Sequence, residues 1–312
     1  MTSSYYNLRK PVQSDVYAYN TSVLPTCDYS IKRLSGYSYI KPLLYMDKSC
    51  ETGFFMPLKQ RILDIIEKDK LQGKLSMASV YIRDFNEGDF MAINENTQYQ
   101  SGSLMNIPLL ITYLHLEEND EGYLDKELLL EHAYPNKQNT VDVTEVGKKY
   151  SLKKLLELMI INHDNNATNL LYEHVDKKAF HKTFTDVGLT MPENITQAST
   201  LTADDISLFM RTLYNATYLT INNSEYATKL LCEGEIRNKD LSLPSSVKMA
   251  SGFSSTTDSE LTELHESDII YLNNYPYTIT IMTKGNDAKQ LARVINQIAS
   301  NVYKEIVSKK IS

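Results

Sequence analysis

Ser103 and Asn106 stand three residues apart in the segment 101–110, where a polar start gives way to the apolar run 107–111. A serine at the first turn of a helix has unpaired backbone N–H groups beside it, and the helix dipole favours negative charge on its oxygen. Residues three apart share one face of a helix, so we expect the Asn106 amide to lie beside the Ser103 hydroxyl. A base at this spacing would activate the serine, but a neutral amide cannot take its proton at pH 7.

Two further segments carry polar residues that could complete a site around this serine. His163, Asp164 and Asn165 form a polar break between two predicted helices, and histidine is the commonest general base near neutral pH. The second segment lies on a predicted strand and consists of Ala250, Ser251, Gly252 and Phe253. Each segment is weak evidence when taken alone, since a serine near the start of a helix is usually an N-cap.

The elements that must position these residues follow from the hydrophobic pattern. Apolar residues at helical spacing predict helices behind Pro57 and over 106–118, 151–162, 166–175, 203–214 and 287–308, with Ser151 and Thr202 as N-caps. Runs of β-forming residues predict strands over 77–85, 90–93, 246–253, 267–272 and 276–283, the first two joined as a hairpin. This order predicts an α+β fold, in which one antiparallel sheet from both chain ends is flanked by helices and an all-α domain is inserted between them.

The chain is also predicted to divide into two unequal parts. Residues 1–56 are interpreted as a Tyr-rich N-terminal extension lying on the main domain, because prolines interrupt them and no period of 2 or 3.6 is sustained. Residues 57–312 form the main domain, with an α/β part over 57–102 and 233–312 and a helical part over 103–232.

Composition excludes several other classes of function. The 312 residues include 32 Lys and Arg and 39 Asp and Glu, a net charge of −7 without a basic run, so nucleic-acid binding is not expected. The apolar runs fall far short of the about 20 residues that a transmembrane helix needs, and no export signal is apparent. Three scattered cysteines do not predict a zinc site, although one disulfide between Cys27 and Cys50 could form and leave Cys232 over. The histidines outside the polar break have no paired spacing, so we expect no metal and no cofactor.

The order and surroundings of the three polar segments resemble the class A serine β-lactamases and their penicillin-binding relatives. That family has S-x-x-K at the start of a helix, S-D-N between helices and K-[ST]-G on an inner strand. The segment 103–110 looks like the family's S-L-x-K-V-P-L-L, and Met159 with 164–171 looks like M-x-x-x-S-D-N-x-A-x-N-L-L. Ser251 and Gly252 match the end of K-[ST]-G, and the resemblance covers about residues 58–308.

The resemblance implies a β-lactamase/transpeptidase-like fold with Ser103 as the nucleophile and an oxyanion hole made by the backbone N–H groups of Ser103 and Phe253. It places Asn165 and the segment 250–253 in the binding cleft and gives Asp164 a structural role. It implies β-lactams or peptidoglycan stem peptides as ligands, with an unknown protein as a further candidate partner. The family's cell-wall setting favours an extracytoplasmic location.

Three replacements depart from the family's pattern. Asn106 stands where the family has its helix lysine, His163 where S-D-N has serine, and Ala250 where K-[ST]-G has lysine. The deacylating glutamate has no clear counterpart, since Glu193 is acidic and in the corresponding stretch but its flanks do not match. Lys248 shares the predicted face of Ala250 but lies two residues upstream, about 6.5–7 Å away along a strand.

Two functions of different classes therefore stay open. The first is a catalytically impaired or inactive protein, a pseudoenzyme whose cleft binds a ligand or whose surface binds a partner. The second is a serine acyl hydrolase, with β-lactamase, penicillin-binding or esterase activity, that uses Ser103 as nucleophile and His163 as substitute base. Loss of a general base typically lowers a rate by about 10²–10⁴-fold, and this deficit favours the first function.

Overall fold

The central sheet is built from β-branched and aromatic runs, such as those over 77–84 and 277–285, whose side chains are mostly buried on both faces. The computed structural model describes residues 28–34, 43–48, 50–135, 142–191, 199–234, 243–244, 246–258, 261–272 and 275–309. Its strands are β1 (Tyr29–Arg33), β2 (Leu43–Lys48), β3 (Met77–Asp84), β4 (Phe90–Ile93), β5 (Tyr99–Gln100), β6 (Glu127–Leu129), β7 (Lys149–Ser151), β8 (Thr200–Leu201), β9 (Lys248–Asp258), β10 (Leu261–Tyr271) and β11 (Tyr277–Gly285). Its helices are α1 (Met56–Leu71), α2 (Asn106–Asn119), α3 (Leu152–Glu157), α4 (Asn165–His174), α5 (Lys177–Val187), α6 (Ala203–Tyr214), α7 (Ile221–Glu233) and α8 (Ala288–Lys309).

Five of these strands form one antiparallel sheet in the order β4-β3-β11-β10-β9. Strands from both ends of the chain therefore meet in a single sheet, and the predicted α+β architecture is confirmed. One strand is longer than predicted, since β10 begins at Leu261 rather than at residue 267. The pattern hides its first half because Glu263 and His265 interrupt the apolar run, although both are buried in the folded protein.

Each face of the sheet is covered by a separate apolar core. Helices α1 and α8 pack on one face, and α8 buries the stripe that the sequence predicts. The members of that stripe are exposed by 2% or less: Leu291, Val294, Ile295, Ile298, Val302 and Ile306. The other face packs against the helical part, whose centre is α2, a helix with the buried run 106–114. The sheet is therefore packed between two layers of helices, and its β9 edge lies beside the start of α2.

The helical part agrees with the predicted positions in most places. The predicted helix over 151–162 is α3 followed by a π-helical turn at Leu158–Asn162. Ser151 and Thr202 are N-caps, because each side chain accepts a hydrogen bond from the backbone N–H three residues on. Helices α5 and α7 were not predicted individually, and the short ladders β5–β8 and β6–β7 are too brief to leave a sequence period. None of the helices in the described ranges has the length and apolar character needed to cross a membrane.

The described residues that precede α1 include a strand pair that the sequence pattern did not predict. Strands β1 and β2 pair as an antiparallel ladder, and Leu44 is fully buried in the core of the helical part. The Tyr45 hydroxyl donates to the carbonyl oxygen of Val187 at 3.1 Å. Cys50 is disulfide-bonded and Cys232 is a half-buried thiol, while Cys27 lies outside the described residues.

Candidate active site

Ser103 lies in a 3₁₀ turn, Gly102–Met105, that leads directly into α2 beside strand β9. The turn is fixed from behind, because the backbone N–H and the hydroxyl of Ser101 both donate to the carbonyl oxygen of Ser199, at 2.8 and 2.7 Å. The neighbours of Ser103 in the turn are buried, whereas Ser103 itself is only half-buried. The turn therefore leaves the serine partly accessible where the start of α2 meets strand β9.

A buried polar cluster on β10 holds the chain just before this turn. The Glu263 carboxylate accepts a hydrogen bond from the Gln100 backbone N–H at 2.7 Å and one from the Lys284 ammonium at 2.8 Å. His265 accepts the Thr283 backbone N–H at Nδ1, so Nε2 carries the proton and donates to the Gln100 carbonyl at 3.1 Å. Burial alone would raise the pKa of Glu263, but the hydrogen bonds from His265 and Lys284 lower it below its ordinary value. His265 is thus structural, as expected.

Asn106 is the first residue of α2 and is 4% exposed, one helical turn beyond the serine. Its side-chain oxygen accepts a hydrogen bond from the Tyr172 hydroxyl at 3.2 Å. Burial raises the pKa of Tyr172 well above its ordinary value, so the phenol stays protonated and acts as the donor. Sequence reasoning missed Tyr172, because nothing in the pattern of an amphipathic helix indicates which residue a tyrosine hydroxyl will contact. The available signal was its position seven residues after Asn165, on the same face of α4.

Asp164 is fully buried and holds the loop around residues 142–144 against the start of α4. One carboxylate oxygen accepts the backbone N–H groups of Val143 and Thr144, at 2.6 and 2.8 Å. The other accepts the Thr144 hydroxyl at 3.0 Å and the Ala167 backbone N–H at 2.8 Å, which caps the helix. All four contacts are local, so the carboxylate braces the fold and is not directed at the serine.

His163 and Asn165 flank Asp164 and have different surroundings. His163 is half-buried and adopts a left-handed conformation, with φ 53°, where the π-helical turn ends. The Asn165 amide nitrogen lies 3.3 Å from the Tyr134 carbonyl oxygen and 3.4 Å from that of Pro135. The side chain of Asn165 is therefore tied to the loop that borders the cleft.

Strand β9 brings the segment 250–253 against the first turns of α2. Ala250 is fully buried in the apolar core of the helical part. A Cβ atom at Gly252 would lie 2.7 Å from Ile107 Cδ1, so a larger residue there would force the Ile107 side chain to shift. Exposed Lys248 does not restore a cation at Ala250, because its ammonium lies 5.5 Å from the centroid of the Tyr271 ring.

One of the two backbone donors expected to form the oxyanion hole has a partner within the protein. The Ser103 backbone N–H donates to the Ser254 hydroxyl oxygen at 3.2 Å, so this donor already has a partner in the protein. Phe253 is half-buried and packs on the core beneath α1 and α8. The Ser251 hydroxyl is buried and has no hydrogen-bond partner among the described residues. Glu193, the candidate deacylating group, lies outside the described residues.

The site that results has a serine hydroxyl but a neutral side chain at each of the two positions that carry lysine in the family. Asn106 is bound by the Tyr172 phenol, and Ala250 is enclosed by apolar side chains. Such a site can donate hydrogen bonds and accommodate a neutral group. Positions 106 and 250 carry no ammonium that could attract an anion. They also carry no free amine that could accept a proton from the serine.

Comparisons with known proteins agree with this fold. The TLA-1 extended-spectrum β-lactamase is 18% identical with a TM-score of 0.69, covering 80% of this chain and 98% of its own. A β-lactamase from Chitinophaga pinensis is 16% identical with a TM-score of 0.70, covering 80% and 98%. A PBP-A variant, solved as its acyl-enzyme complex with penicillin G, is 17% identical with a TM-score of 0.67, covering 81% and 97%.

Identities this low show a shared fold, and a comparison with curated protein sequences found no match. The family itself is shown by the sequence profile of the beta-lactamase enzyme family, which matches residues 57–306. That match includes the serine turn, the S-D-N-like segment and strand β9. The chain therefore belongs to the beta-lactamase enzyme family.

Proposed function

We propose that this protein is a member of the β-lactamase family that has lost efficient β-lactam hydrolysis and uses its cleft to bind a ligand or a partner. The observation that carries the proposal is the hydrogen bond between buried Asn106 and half-buried Tyr172, at the position where the resemblance places a lysine one turn after the serine. The pair is neutral, and its hydrogen bond engages the amide oxygen.

The missing base has a kinetic consequence. A serine hydroxyl is a weak nucleophile until a base accepts its proton, and neither an amide nor a protonated phenol can do so at pH 7. Loss of a general base is typically worth about 10²–10⁴ in rate, or about 3–5 kcal/mol in the activation free energy. Acylation of Ser103 is expected to slow by at least this factor.

The missing strand lysine affects ligand choice. Ala250 puts a methyl group where the family has an ammonium, and apolar side chains surround it. A ligand carboxylate therefore gains no ion pair at this position. Family membership still makes peptidoglycan stem peptides, β-lactams or a protein partner the candidate occupants, and an extracytoplasmic location is part of this proposal.

The test is acylation by penicillin G, followed by intact mass spectrometry. The PBP-A variant forms such an acyl-enzyme, so the probe is matched to the fold. We expect no mass increase for the wild-type protein, with Ser103→Ala as the matched control. A penicilloyl adduct that Ser103→Ala abolishes would overturn the non-catalytic function. If that adduct persisted, the protein would be a penicillin-binding trap; if it were released, the protein would be a hydrolase.

The second candidate function is acyl hydrolysis with His163 as the base. One observation favours it: His163 is half-buried at the turn before α4, the helix whose Tyr172 reaches Asn106. The discriminating measurement is hydrolysis of p-nitrophenyl acetate against pH. A rate that rises as an imidazole loses its proton, and that both Ser103→Ala and His163→Asn remove, would establish this function. A rate equal to that of both variants would exclude it.

A further inference from the structure

Strand β9 approaches the serine turn so closely that one residue of the turn must be glycine. Gly102 has φ +50°, in the left-handed region that favours glycine. A Cβ atom there would overlap the Ser254 hydroxyl oxygen and lie 2.8 Å from Thr256 Cγ2. The absence of a side chain at Gly102 therefore lets Ser254 reach the backbone of the turn.

The Ser254 hydroxyl uses this access to bind the next residue. Ser254 is 1% exposed, and its oxygen accepts the Ser103 backbone N–H at 3.2 Å. An N–H at the first turn of a helix is a strong site for a negatively charged or strongly polarised oxygen. A ligand oxygen that binds this N–H must first displace the Ser254 hydroxyl.

We propose that Ser254 is an internal ligand of the Ser103 N–H that weakens the binding of any ligand presenting an oxyanion to the serine. Without the Ser254 hydroxyl, the Ser103 N–H loses its hydrogen bond within the protein and can donate to a bound ligand at no such cost. This inference rests on the proposed function only in taking the cleft at Ser103 as the ligand site. It concerns binding strength and not the missing base.

Phenylboronic acid is a suitable probe, because its adduct depends on equilibrium and not on catalysis. The Ser103 oxygen forms a bond to the trigonal boron and the hydroxyl proton passes to the buffer. Boron becomes tetrahedral and negatively charged, and no bond to boron breaks. The wild-type protein and Ser254→Ala carry the same residues at positions 106 and 250, so the missing base and cation affect both equally, whereas a freed Ser103 N–H stabilises a boronate oxygen only in the variant.

The first measurement is hydrogen exchange of the Ser103 backbone amide by NMR. The expected result is protection in the wild-type protein and exchange at least about tenfold faster in Ser254→Ala. Ser255→Ala is the matched control, because Ser255 is the next residue of β9 and its side chain points to the opposite face. Equal exchange in Ser254→Ala and the wild-type protein would overturn the proposal.

The second measurement is the dissociation constant of phenylboronic acid by calorimetry. We expect about tenfold tighter binding by Ser254→Ala, equivalent to about 1.4 kcal/mol, no change in Ser255→Ala and no binding by Ser103→Ala. Unchanged or weaker binding by Ser254→Ala, or no binding by any variant, would overturn the proposal. Ser254→Cys, whose thiol is only a weak hydrogen-bond acceptor, replaces Ser254→Ala if circular dichroism shows that the alanine variant does not fold. Failure of the proposed function is seen separately, as β-lactam turnover by the wild-type protein.

Discussion

Replacing Asp47 with asparagine tests whether the strand pair before α1 is an integral part of the main domain. The Asp47 carboxylate lies between two arginines of that domain, forming an ion pair with Arg83 at 3.0 Å and a second with Arg211. The arginine side chains are only 7% and 4% exposed, whereas Asp47 is 25% exposed. The asparagine keeps the shape of the side chain but leaves two buried guanidinium groups without their carboxylate.

The magnitude follows from burial. Removing one partner of a buried ion pair typically costs about 3–5 kcal/mol, because the remaining charge stays buried and uncompensated. Two features reduce this cost here: Asp47 is partly solvated, and Arg83 also donates to the Met46 carbonyl oxygen at 3.1 Å. We therefore expect Asp47→Asn to lower the free energy of unfolding by about 2–4 kcal/mol.

The assay is urea denaturation followed by circular dichroism, with Asp120→Asn as the matched control. Asp120 pairs with Lys126 at 3.0 Å, but their side chains are 64% and 54% exposed, so its loss should cost less than about 1 kcal/mol. A loss for Asp47→Asn no larger than that of the control would refute the reasoning. The strand pair would then be a detachable addition and not a structural part of the domain.

Three further predictions concern the supports of the site. Asp164→Ala should lower the free energy of unfolding by about 1–3 kcal/mol, because four hydrogen bonds lose their acceptor; wild-type thermal stability in this variant would contradict the assignment. Glu263 has a folded pKa below its ordinary value of 4.5, so its stabilising effect is complete above that pH and is lost as pH falls through the folded pKa. The stability difference between the wild-type protein and Glu263→Gln, measured by urea denaturation, should therefore shrink as the pH falls below 4.5, and a constant difference would refute this. Tyr172→Phe should cost about 0.5–1.5 kcal/mol in the same assay through the lost bond to Asn106, and an unchanged stability would show that the bond contributes nothing.

The parts of the fold with a regular apolar period could be predicted from the sequence. The stripe of α8, the hairpin of β3 and β4 and the N-caps Ser151 and Thr202 all follow from local rules. The strand pair β1–β2 could not, because its ladder is short and only Leu44 of it is buried in the apolar core, while Tyr45 and Asp47 bind groups from distant parts of the chain. Its stability comes from tertiary contacts that no local pattern records.

The candidate site, like the fold, could be predicted from the sequence only in part. The positions of Ser103, Asn106, His163 and Ala250 follow from short motifs, and the replacements among them are visible in the sequence. The contacts of Tyr172 with Asn106 and of Ser254 with Ser103 join residues 66 and 151 positions apart. Such pairings depend on how helices and strands pack, so a single sequence does not specify them.

Nitrocefin hydrolysis by the purified protein at pH 7 tests the central claim most directly, with Ser103→Ala measured beside it. Because Asn106 and Ala250 supply neither a base nor an anchoring cation, the wild-type protein should show at most a slow rate that rises linearly with nitrocefin concentration and stays close to that of the variant. A rate that saturates with nitrocefin in the wild-type protein and disappears in Ser103→Ala would contradict the account.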